Sequence, residues 1–148
     1  MSGARDAGRG VLDTSTVILL GRLNNADELP DESTITAVTL AELSVGPHVA
    51  RTEADRSVRQ QHLQQAEADF EVLPFDAESA RAFGGVAASL RASGRKLAVR
   101  AYDALIAATA IANGLPLYTC NPDDFVGIAQ LDLRPVTHPD GSARVRRD

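Results

Sequence analysis

Four carboxylates lie where short apolar or turn segments give way to helical patterns, namely Asp13, Glu42, Asp103 and Asp124. Oxygen ligands of this kind suit Mg²⁺ or Mn²⁺, which keep several waters and bind phosphate oxygens. A cation held in this way can polarise a phosphodiester oxygen and lower the pKa of a bound water that attacks phosphorus. These residue types therefore predict metal-dependent phosphodiester hydrolysis, provided that the four side chains converge in space.

Asp13 and Glu42 each have a simpler explanation as part of a helix cap. In Asp13-Thr14-Ser15, all three side chains can accept the free N–H groups of a first helical turn. The segment Thr39-Leu-Ala-Glu42 fits a capping box, in which the glutamate bonds the N-cap N–H and is less available to a metal. The functional alternative has Asp13 on the metal, with Ser15 or Thr14 supplying a hydroxyl. The sequence leaves both interpretations open.

Asp103 and Asp124 are explained less completely by local structure. Asp103 can cap its helix, where the dipole favours an anion, but that helix is almost entirely small or apolar and should be buried. A carboxylate at the mouth of a buried helix needs a partner, and a metal is a suitable one. Asp124 follows the turn signal Asn121-Pro122 and precedes Phe125. We expect Phe125 to anchor this loop in the core while Asp124 faces the metal.

Composition indicates one globular domain without a membrane span. The chain has 148 residues, of which 44% are hydrophobic, which is enough for a single core. Its longest apolar runs, such as Val17 to Leu20, fall far short of the roughly 20 residues that a span needs. Residues 1–10 lead into no apolar signal core, which predicts a cytoplasmic location. Cys120 is the only cysteine, which excludes an intramolecular disulfide and a cysteine-rich zinc site.

The net charge of −5 argues against a protein that coats nucleic acid nonspecifically, so a nucleic-acid partner would need a local basic patch. Residues 82–100 contain no acidic residue and carry Arg91, Arg95, Lys96 and Arg100. This basic segment ends just before Asp103, so we expect its four side chains to steer RNA toward the site. The alternative is a solvated helix end and loop with no such role.

Strand and helix patterns alternate along the chain. We predict strands at residues 10–12, 33–37, 71–75, 115–119 and 133–136. We predict helices at residues 14–23, 39–45, 52–69, 76–92 and 102–113, with a break at Gly46-Pro47. Short, continuously apolar strands between helices indicate a parallel sheet that is covered on both faces. Asp13, Asp103 and Asp124 should then reach the carboxyl edge of the sheet, where ligands gather.

Four segments, in this order, closely resemble the PIN-domain ribonucleases and, within them, the VapC-type toxins of toxin–antitoxin pairs. They are Val11-Leu-Asp-Thr-Ser15, Thr39-Leu-Ala-Glu-Leu43, Tyr102-Asp-Ala-Leu-Ile-Ala-Ala-Thr-Ala110 and Leu117-Tyr-Thr-Cys-Asn-Pro-Asp-Asp-Phe125. The resemblance implies a three-layer α/β/α PIN-like fold around a central, mainly parallel sheet of four to five strands. It gives a nuclease domain at residues 10–136, between a flexible N-terminus at 1–9 and a tail at 137–148 that composition predicts to be disordered.

The resemblance also implies a set of site residues. The acidic quartet consists of Asp13, Glu42, Asp103 and Asp124. The supporting polar groups are Ser15, Thr119 and Asn121. The implied cofactor is Mg²⁺ or Mn²⁺, with Glu42 in contact with the metal directly or through water. The sequence does not indicate whether one or two metal ions act.

Partners are implied in the same way. They are an RNA substrate, often tRNA or rRNA in relatives, a second copy of the chain in a homodimer, and a small cognate antitoxin. The antitoxin is expected to occupy an apolar groove formed by the helices around Glu42 and Val45 and to send a basic side chain into the acidic site. Cys120 departs from the family pattern, because many relatives have an arginine there. The departure concerns substrate or antitoxin contacts at this position and affects no ligand.

Three functions are compatible with these features. The first is a metal-dependent endoribonuclease that acts as the toxin of a type II toxin–antitoxin system. The second is a non-catalytic PIN-like module that binds RNA or protein, against which the four filled acidic positions argue. The third is a phosphatase or phosphoacceptor domain with Asp13 as a covalent nucleophile. Such enzymes need a second carboxylate or a lysine near the first strand and its partners. Here Ser15 occupies the nearest position and Lys96 is the only lysine.

Overall fold

The structure is a computed structural model that describes residues 8–141. Its central sheet consists of β1 Arg9–Leu12, β2 Glu32–Thr36, β3 Glu71–Leu73, β4 Leu117–Thr119 and β5 Leu133–Pro135. The strand order is β3-β2-β1-β4-β5, and every neighbouring pair is parallel. The predicted parallel sheet is confirmed.

The helices that cover the sheet are α1 Thr14–Leu19, α2 Ala37–Val49, α3 Glu53–Asp69, α4 Ala77–Ala92 and α5 Ala101–Ala112. Short 3₁₀ turns lie at Leu20–Arg22, Ala26–Glu28 and Pro122–Phe125. Within residues 8–141, no helix is both long and apolar enough to cross a membrane.

Strands β1 and β4 are covered on both faces of the sheet, which explains their continuous apolar sequence. Successive side chains of a strand point to opposite faces of the sheet. Val11 and Leu117 pack in a cluster that includes Val86 of α4 and residues of α5. Leu12 and Tyr118 pack in a second cluster with residues of α1, α2 and α3. The molecule therefore has the three layers that were predicted.

Helix α2 begins earlier than predicted. Thr36 is its N-cap, and the Thr36 hydroxyl accepts the backbone N–H of Thr39 at 3.1 Å. Thr39 is therefore a residue of the first turn rather than the cap. The predicted capping box between Thr39 and Glu42 is wrong, because a threonine at the end of β2 already fills the capping position. Glu42 is left free to make contacts outside its own helix.

Helix α2 also continues through Gly46 and Pro47, where a break was predicted. Proline removes one backbone hydrogen bond from a helix and disfavours its interior. Here Arg56 and Arg59 of α3 donate to the carbonyl oxygens of Pro47 and Gly46, at 2.8 and 3.2 Å. These donors satisfy carbonyls in the last turn that would otherwise lack partners. The helix continues to Val49 because its contacts with α3 outweigh the helix-breaking tendency of Gly46 and Pro47.

A flexible N-terminus was predicted at residues 1–9 and a disordered tail at 137–148. Of these, residues 1–7 and 142–148 lie outside the described residues. Arg9, at the edge of the first terminus, already belongs to β1. The first residues of the tail that was predicted to be disordered make contacts. Thr137 donates to Glu28 from both its N–H and its hydroxyl at 2.9 Å. Asp140 accepts a hydrogen bond from Arg22 at 2.7 Å. Residues 137–141 lack an apolar pattern, and polar partners hold them in place. The predicted domain boundaries remain predictions.

Candidate functional site

The site lies at the carboxyl ends of β1 and β4, which are neighbours at the centre of the sheet. The chain runs outward from β1 to β2 and β3 and then returns to β4 on the other side of β1. Loops diverge where the strand order reverses, and ligand sites of open α/β sheets form there. Asp13 directly follows β1, and Thr119 is the last residue of β4. Both predicted site residues are thus at the switch point.

Asp13 is the most buried of the four carboxylates, with 3% of its surface exposed. Its Oδ1 accepts the backbone N–H of Thr16 at 3.2 Å and also the Thr16 hydroxyl. Its Oδ2 accepts the hydroxyls of Ser15 at 3.1 Å and Thr119 at 2.9 Å. The predicted helix cap is confirmed, but it uses only one of the two oxygens. Burial raises the pKa of Asp13, and these four hydrogen bonds oppose that rise.

Backbone and amide donors of Cys120 and Asn121 orient the hydroxyls that bond to this buried carboxylate. The N–H of Cys120 donates to Thr16 Oγ1 at 3.0 Å. Asn121 donates from its backbone N–H to Thr119 Oγ1 and from its Nδ2 to Ser15 Oγ, each at 2.9 Å. Each hydroxyl accepts one proton and donates its own to the carboxylate. Such directed donors favour the charged form of a buried acid.

Glu42 is bonded from α1 rather than from its own helix. Thr14 Oγ1 donates to Glu42 Oε1 at 2.5 Å, and the hydroxyls of Thr14 and Thr39 are 2.9 Å apart. Because Thr14 has a single hydroxyl proton, which goes to Glu42, Thr39 is the donor in that second contact. Burial raises the pKa of Glu42; the Thr14 hydrogen bond lowers it, and the charge of Asp13 raises it. Glu42 therefore lies within electrostatic reach of Asp13.

Asp103 connects the quartet electrostatically. It lies in the first turn of α5, and the pKa of this carboxyl is raised from 3.8 to about 7. Burial is the largest cause, followed by the negative charges of Asp124, Asp13 and Glu42, while Arg100 lowers the pKa. The charges of the other three predicted carboxylates thus all reach Asp103.

Asp124 is held in the 3₁₀ turn Pro122–Phe125 that follows β4. Its N–H donates to the carbonyl of Asn121 at 3.0 Å, and Arg100 Nη1 donates to its Oδ1 at 3.2 Å. Phe125 is 2% exposed and packs in the core. The predicted anchoring of the loop by Phe125 is confirmed, and it leaves Asp124 beside the N-terminus of α5.

The donor set suits a hard divalent cation. Its oxygens come from four carboxylates, and Asn121 Oδ1 is buried without a hydrogen-bond donor from the described residues. As placed, however, no three acidic, histidine or cysteine side chains among residues 8–141 form a group that could hold a metal ion. Like charges repel, and each of Asp13, Glu42 and Asp124 is already bonded to hydroxyls or to Arg100. For these carboxylates to coordinate a cation, their side chains would therefore have to move.

Two of the four basic residues proposed to steer RNA lie beside this loop. Arg100 pairs with Asp124, and Arg95 Nη1 donates to the carbonyl oxygens of Asp123 and Val126 at 3.1 and 3.3 Å. The other two, Arg91 and Lys96, are exposed. The basic segment thus borders the acidic site, and half of it supports the loop structurally. Its role toward RNA remains a prediction.

Three contributors to the site were missed from the sequence. Thr16 donates to Asp13, Thr39 supports the hydroxyl that holds Glu42, and Cys120 acts through its backbone N–H. Thr16 gave a weak signal, as a hydroxyl residue at the start of an apolar run. The side chain of Cys120 is 4% exposed and packs in the apolar cluster with Leu12. The contact made by this residue to the site therefore does not depend on which side chain it carries.

Comparison with known proteins identifies the class to which this fold and site belong. The PIN domain family model matches residues 11–131. The chain therefore belongs to the PIN-domain family. It is 41% identical over 121 residues to ribonuclease VapC5 of Mycobacterium tuberculosis, a match that covers 80% of this chain and 87% of that protein. It is 30% identical over 129 residues to ribonuclease VapC of Rickettsia bellii, covering 85% and 95% of the two chains.

Solved structures agree with this assignment. A crystal structure of VapBC-5 from Mycobacterium tuberculosis, a member of the VapBC family of toxin–antitoxin systems, matches with a TM-score of 0.73 and 36% identity. That match covers 87% of this chain and 99% of the other. FitAcB from Neisseria gonorrhoeae matches with a TM-score of 0.67 at 24% identity, over 87% and 96% of the chains, which supports the fold alone. The predicted resemblance to VapC-type PIN domains is confirmed.

Proposed function

We propose that the chain is a metal-dependent endoribonuclease that acts as the toxin of a type II toxin–antitoxin system. One observation carries the proposal: Asp13, Glu42, Asp103 and Asp124 come from four separate segments that side-chain hydrogen bonds tie together, and the charges of the other three raise the pKa of Asp103. A concentration of buried negative charge is costly unless a cation binds there. The names of the ribonuclease relatives agree with this assignment.

The cofactor that we propose is Mg²⁺ or Mn²⁺. Asp13, Asp103 and Asp124 would hold it, with Glu42 in contact directly or through water. When bound, such a cation polarises the phosphodiester and lowers the pKa of the attacking water. A carboxylate has about four lone-pair positions, and Asp13 already accepts four hydrogen bonds. We expect Ser15, which is only half-buried, to turn away when the cation binds.

The protein's own polar groups have separate tasks in this proposal. Thr119 holds Asp13 in place from β4, and Thr14 holds Glu42. The free Oδ1 of Asn121 can accept a hydrogen bond from a water at the site, while its Nδ2 orients Ser15. RNA phosphates would be attracted by the basic segment, which consists of Arg91, Arg95, Lys96 and Arg100.

The proposed partners follow from the same assignment. A cognate antitoxin is supported by the match to solved structures of VapBC toxin–antitoxin systems. We propose that it covers the apolar surface of α2, where Val45 is 54% and Val49 57% exposed. A homodimer, a tRNA or rRNA substrate and action in the cytoplasm complete the proposal.

The test is incubation of the purified protein with total RNA in Mg²⁺, Mn²⁺ or EDTA, followed by sequencing of the new RNA ends. We expect discrete cleavage sites with either cation and none in EDTA. Asp13→Asn and Asp103→Asn should abolish these ends while keeping the circular dichroism spectrum of the folded protein. Cleavage that persists in EDTA, or in either folded variant, would contradict the proposal.

The two other functions give different results in this test. A non-catalytic module would bind RNA without producing new ends. A phosphoacceptor would carry a phosphoryl group on Asp13, but both oxygens of that carboxylate are hydrogen-bonded and the residue is 3% exposed. Attack from so enclosed a position is disfavoured.

A further inference from the structure

Tyr102 is an exposed aromatic residue beside the acidic site. It lies in the first turn of α5, and 61% of its surface is exposed. The fully buried residues of this helix are Ala104, Ile106, Ala107, Ala108, Thr109 and Ala110. A single exposed apolar side chain is common on protein surfaces and means little alone. Tyr102 is of interest because it lies between Arg100 and Asp103, two residues of the site.

Tyr102 belongs to an apolar rim, which we define as Val99, Tyr102 and Val126. Val99 is 76% exposed and Val126 49% exposed. Val99 directly precedes Arg100, and Val126 lies two residues after Asp124, so the rim flanks both members of the Arg100–Asp124 ion pair. Tyr102 itself directly precedes Asp103, one of the proposed metal ligands. The Arg100–Asp124 hydrogen bond brings residues 99–103 together with the loop that carries Val126, so apolar surface, a guanidinium and the proposed metal ligands lie on adjoining segments.

This combination fits one nucleotide of an unpaired RNA. A nucleotide presents a phosphate, which a guanidinium binds, and a flat base, which stacks on aromatic side chains. Bases within a duplex are already stacked and cannot offer a face to the protein. We propose that Tyr102 stacks on an unpaired base next to the cleaved phosphate and so favours single-stranded sites. This inference rests on the proposed ribonuclease function.

A spectroscopic test is available because the chain contains no tryptophan. Tyr102→Trp, placed in the Asp103→Asn background and kept in EDTA, gives a single fluorophore at the rim without cleavage. A single-stranded RNA oligonucleotide should quench its fluorescence, and the same sequence in a perfect duplex should quench it far less. Val58→Trp in the same background is the control, since Val58 is 49% exposed on α3. The control fluorophore should respond equally weakly to both RNAs.

A kinetic test separates stacking from a structural role. Tyr102→Ala should raise KM for a mapped RNA target about tenfold, the order of loss that base–aromatic stacking gives, with a smaller change in kcat. Tyr102→Phe should restore KM, because it keeps the ring. A changed oligomeric state of Tyr102→Ala in light scattering would instead assign the rim to an interface between copies and overturn the inference.

The remaining outcomes also decide the matter. If the fluorescence of the Tyr102→Trp variant stays unquenched while labelled RNA binds, or if both RNAs quench it equally, stacking is overturned and the nuclease proposal is left intact. Selective quenching together with a wild-type protein that cleaves no RNA supports stacking of an unpaired base on Tyr102 but removes the nuclease proposal and, with it, the position next to a cleaved phosphate. Wild-type protein that neither binds nor cleaves RNA overturns both.

Discussion

Arg100 Nη1 donates to Asp124 Oδ1 at 3.2 Å and so joins the N-terminus of α5 to the loop after β4. The two side chains are only 23% and 37% exposed, which limits screening of the pair by solvent. The same guanidinium lowers the pKa of Asp103. Without a cation, Arg100 therefore supplies part of the positive charge that the carboxylates need.

Removing this charge should strengthen cation binding. In Arg100→Gln, the four carboxylates lose a positive neighbour, so a divalent cation relieves more repulsion. We expect the affinity for Mn²⁺, measured by calorimetry without RNA, to rise severalfold, while affinity for RNA falls. Arg81→Gln on α4 is the control, because Arg81 is exposed and pairs with Glu78. Equal or weaker Mn²⁺ binding in Arg100→Gln would show that Arg100 does not compete with the cation.

The raised pKa of Asp103 predicts a pH-dependent stability of the metal-free protein. The pKa rises from 3.8 to about 7 on folding, so between these values the folded state holds a proton that the unfolded state has lost. The contribution of Asp103 to stability is therefore greatest in acid and falls as pH rises toward 7. In EDTA, Asp103→Asn should be more stable than wild type in urea unfolding, by a smaller margin at about pH 5 than at about pH 8, because the cost to wild type grows as pH rises from 3.8 to about 7. Equal stability of the two proteins at both pH values would contradict the shift.

Divalent cations should stabilise the folded protein. A ligand that binds only the folded state adds about 2.7 kcal/mol when it is present at about 100 times its Kd. We expect Mg²⁺ or Mn²⁺ to raise the Tm of wild type measured by calorimetry, and to do so far less for Asp124→Asn. Mg²⁺ should raise the Tm of Asp123→Asn as in wild type, because Asp123 is exposed beside the site. A cation effect of equal size in all three proteins would indicate nonspecific binding.

The Thr119 hydroxyl should be needed for RNA cleavage as well as for the stability of the fold. Thr119→Val removes a donor from Asp13 and the acceptor of the Asn121 N–H. Each buried partner left unsatisfied costs about 1–3 kcal/mol. Thr34→Val is the matched control, because among residues 8–141 the buried Thr34 hydroxyl bonds only the Gly10 carbonyl, at 3.0 Å. We expect both variants to lose stability in urea unfolding, but only Thr119→Val to lose most of its RNA cleavage.

Much of the fold was predictable because its signals are local. Val11, Leu12 and their counterparts in β4 are apolar on both faces, as the central strands of a covered parallel sheet must be. The bounds of α2 were predicted wrongly because they depend on Thr36 and on two arginines of α3. Their effect on α2 follows from contacts between elements, which a local pattern does not contain.

The site was predictable in its acidic residues but not in its hydrogen bonds. Asp13 and Asp124 follow strands and Asp103 opens α5, so their expected position at the carboxyl edge of the sheet followed from the topology, while Glu42 lies about one turn into α2. The groups that hold them are distant in sequence: Thr14 is 28 residues from Glu42, and Thr16 is 104 residues from Cys120. Only the assembled fold brings such pairs together. This is why Thr16 and Thr39 were missed.

The central claim is that the acidic quartet binds the cation that RNA cleavage requires. Two adjacent carboxylates test it most directly, because Asp124 pairs with Arg100 at the site and Asp123 is exposed. The measurement is the cleavage rate of a mapped RNA in Mg²⁺ by Asp124→Asn and by Asp123→Asn. We predict that Asp123→Asn cleaves like wild type and that Asp124→Asn is slower by more than about 100-fold, the most that a group behind the ligands usually contributes. Equal cleavage by the two folded variants would contradict the claim.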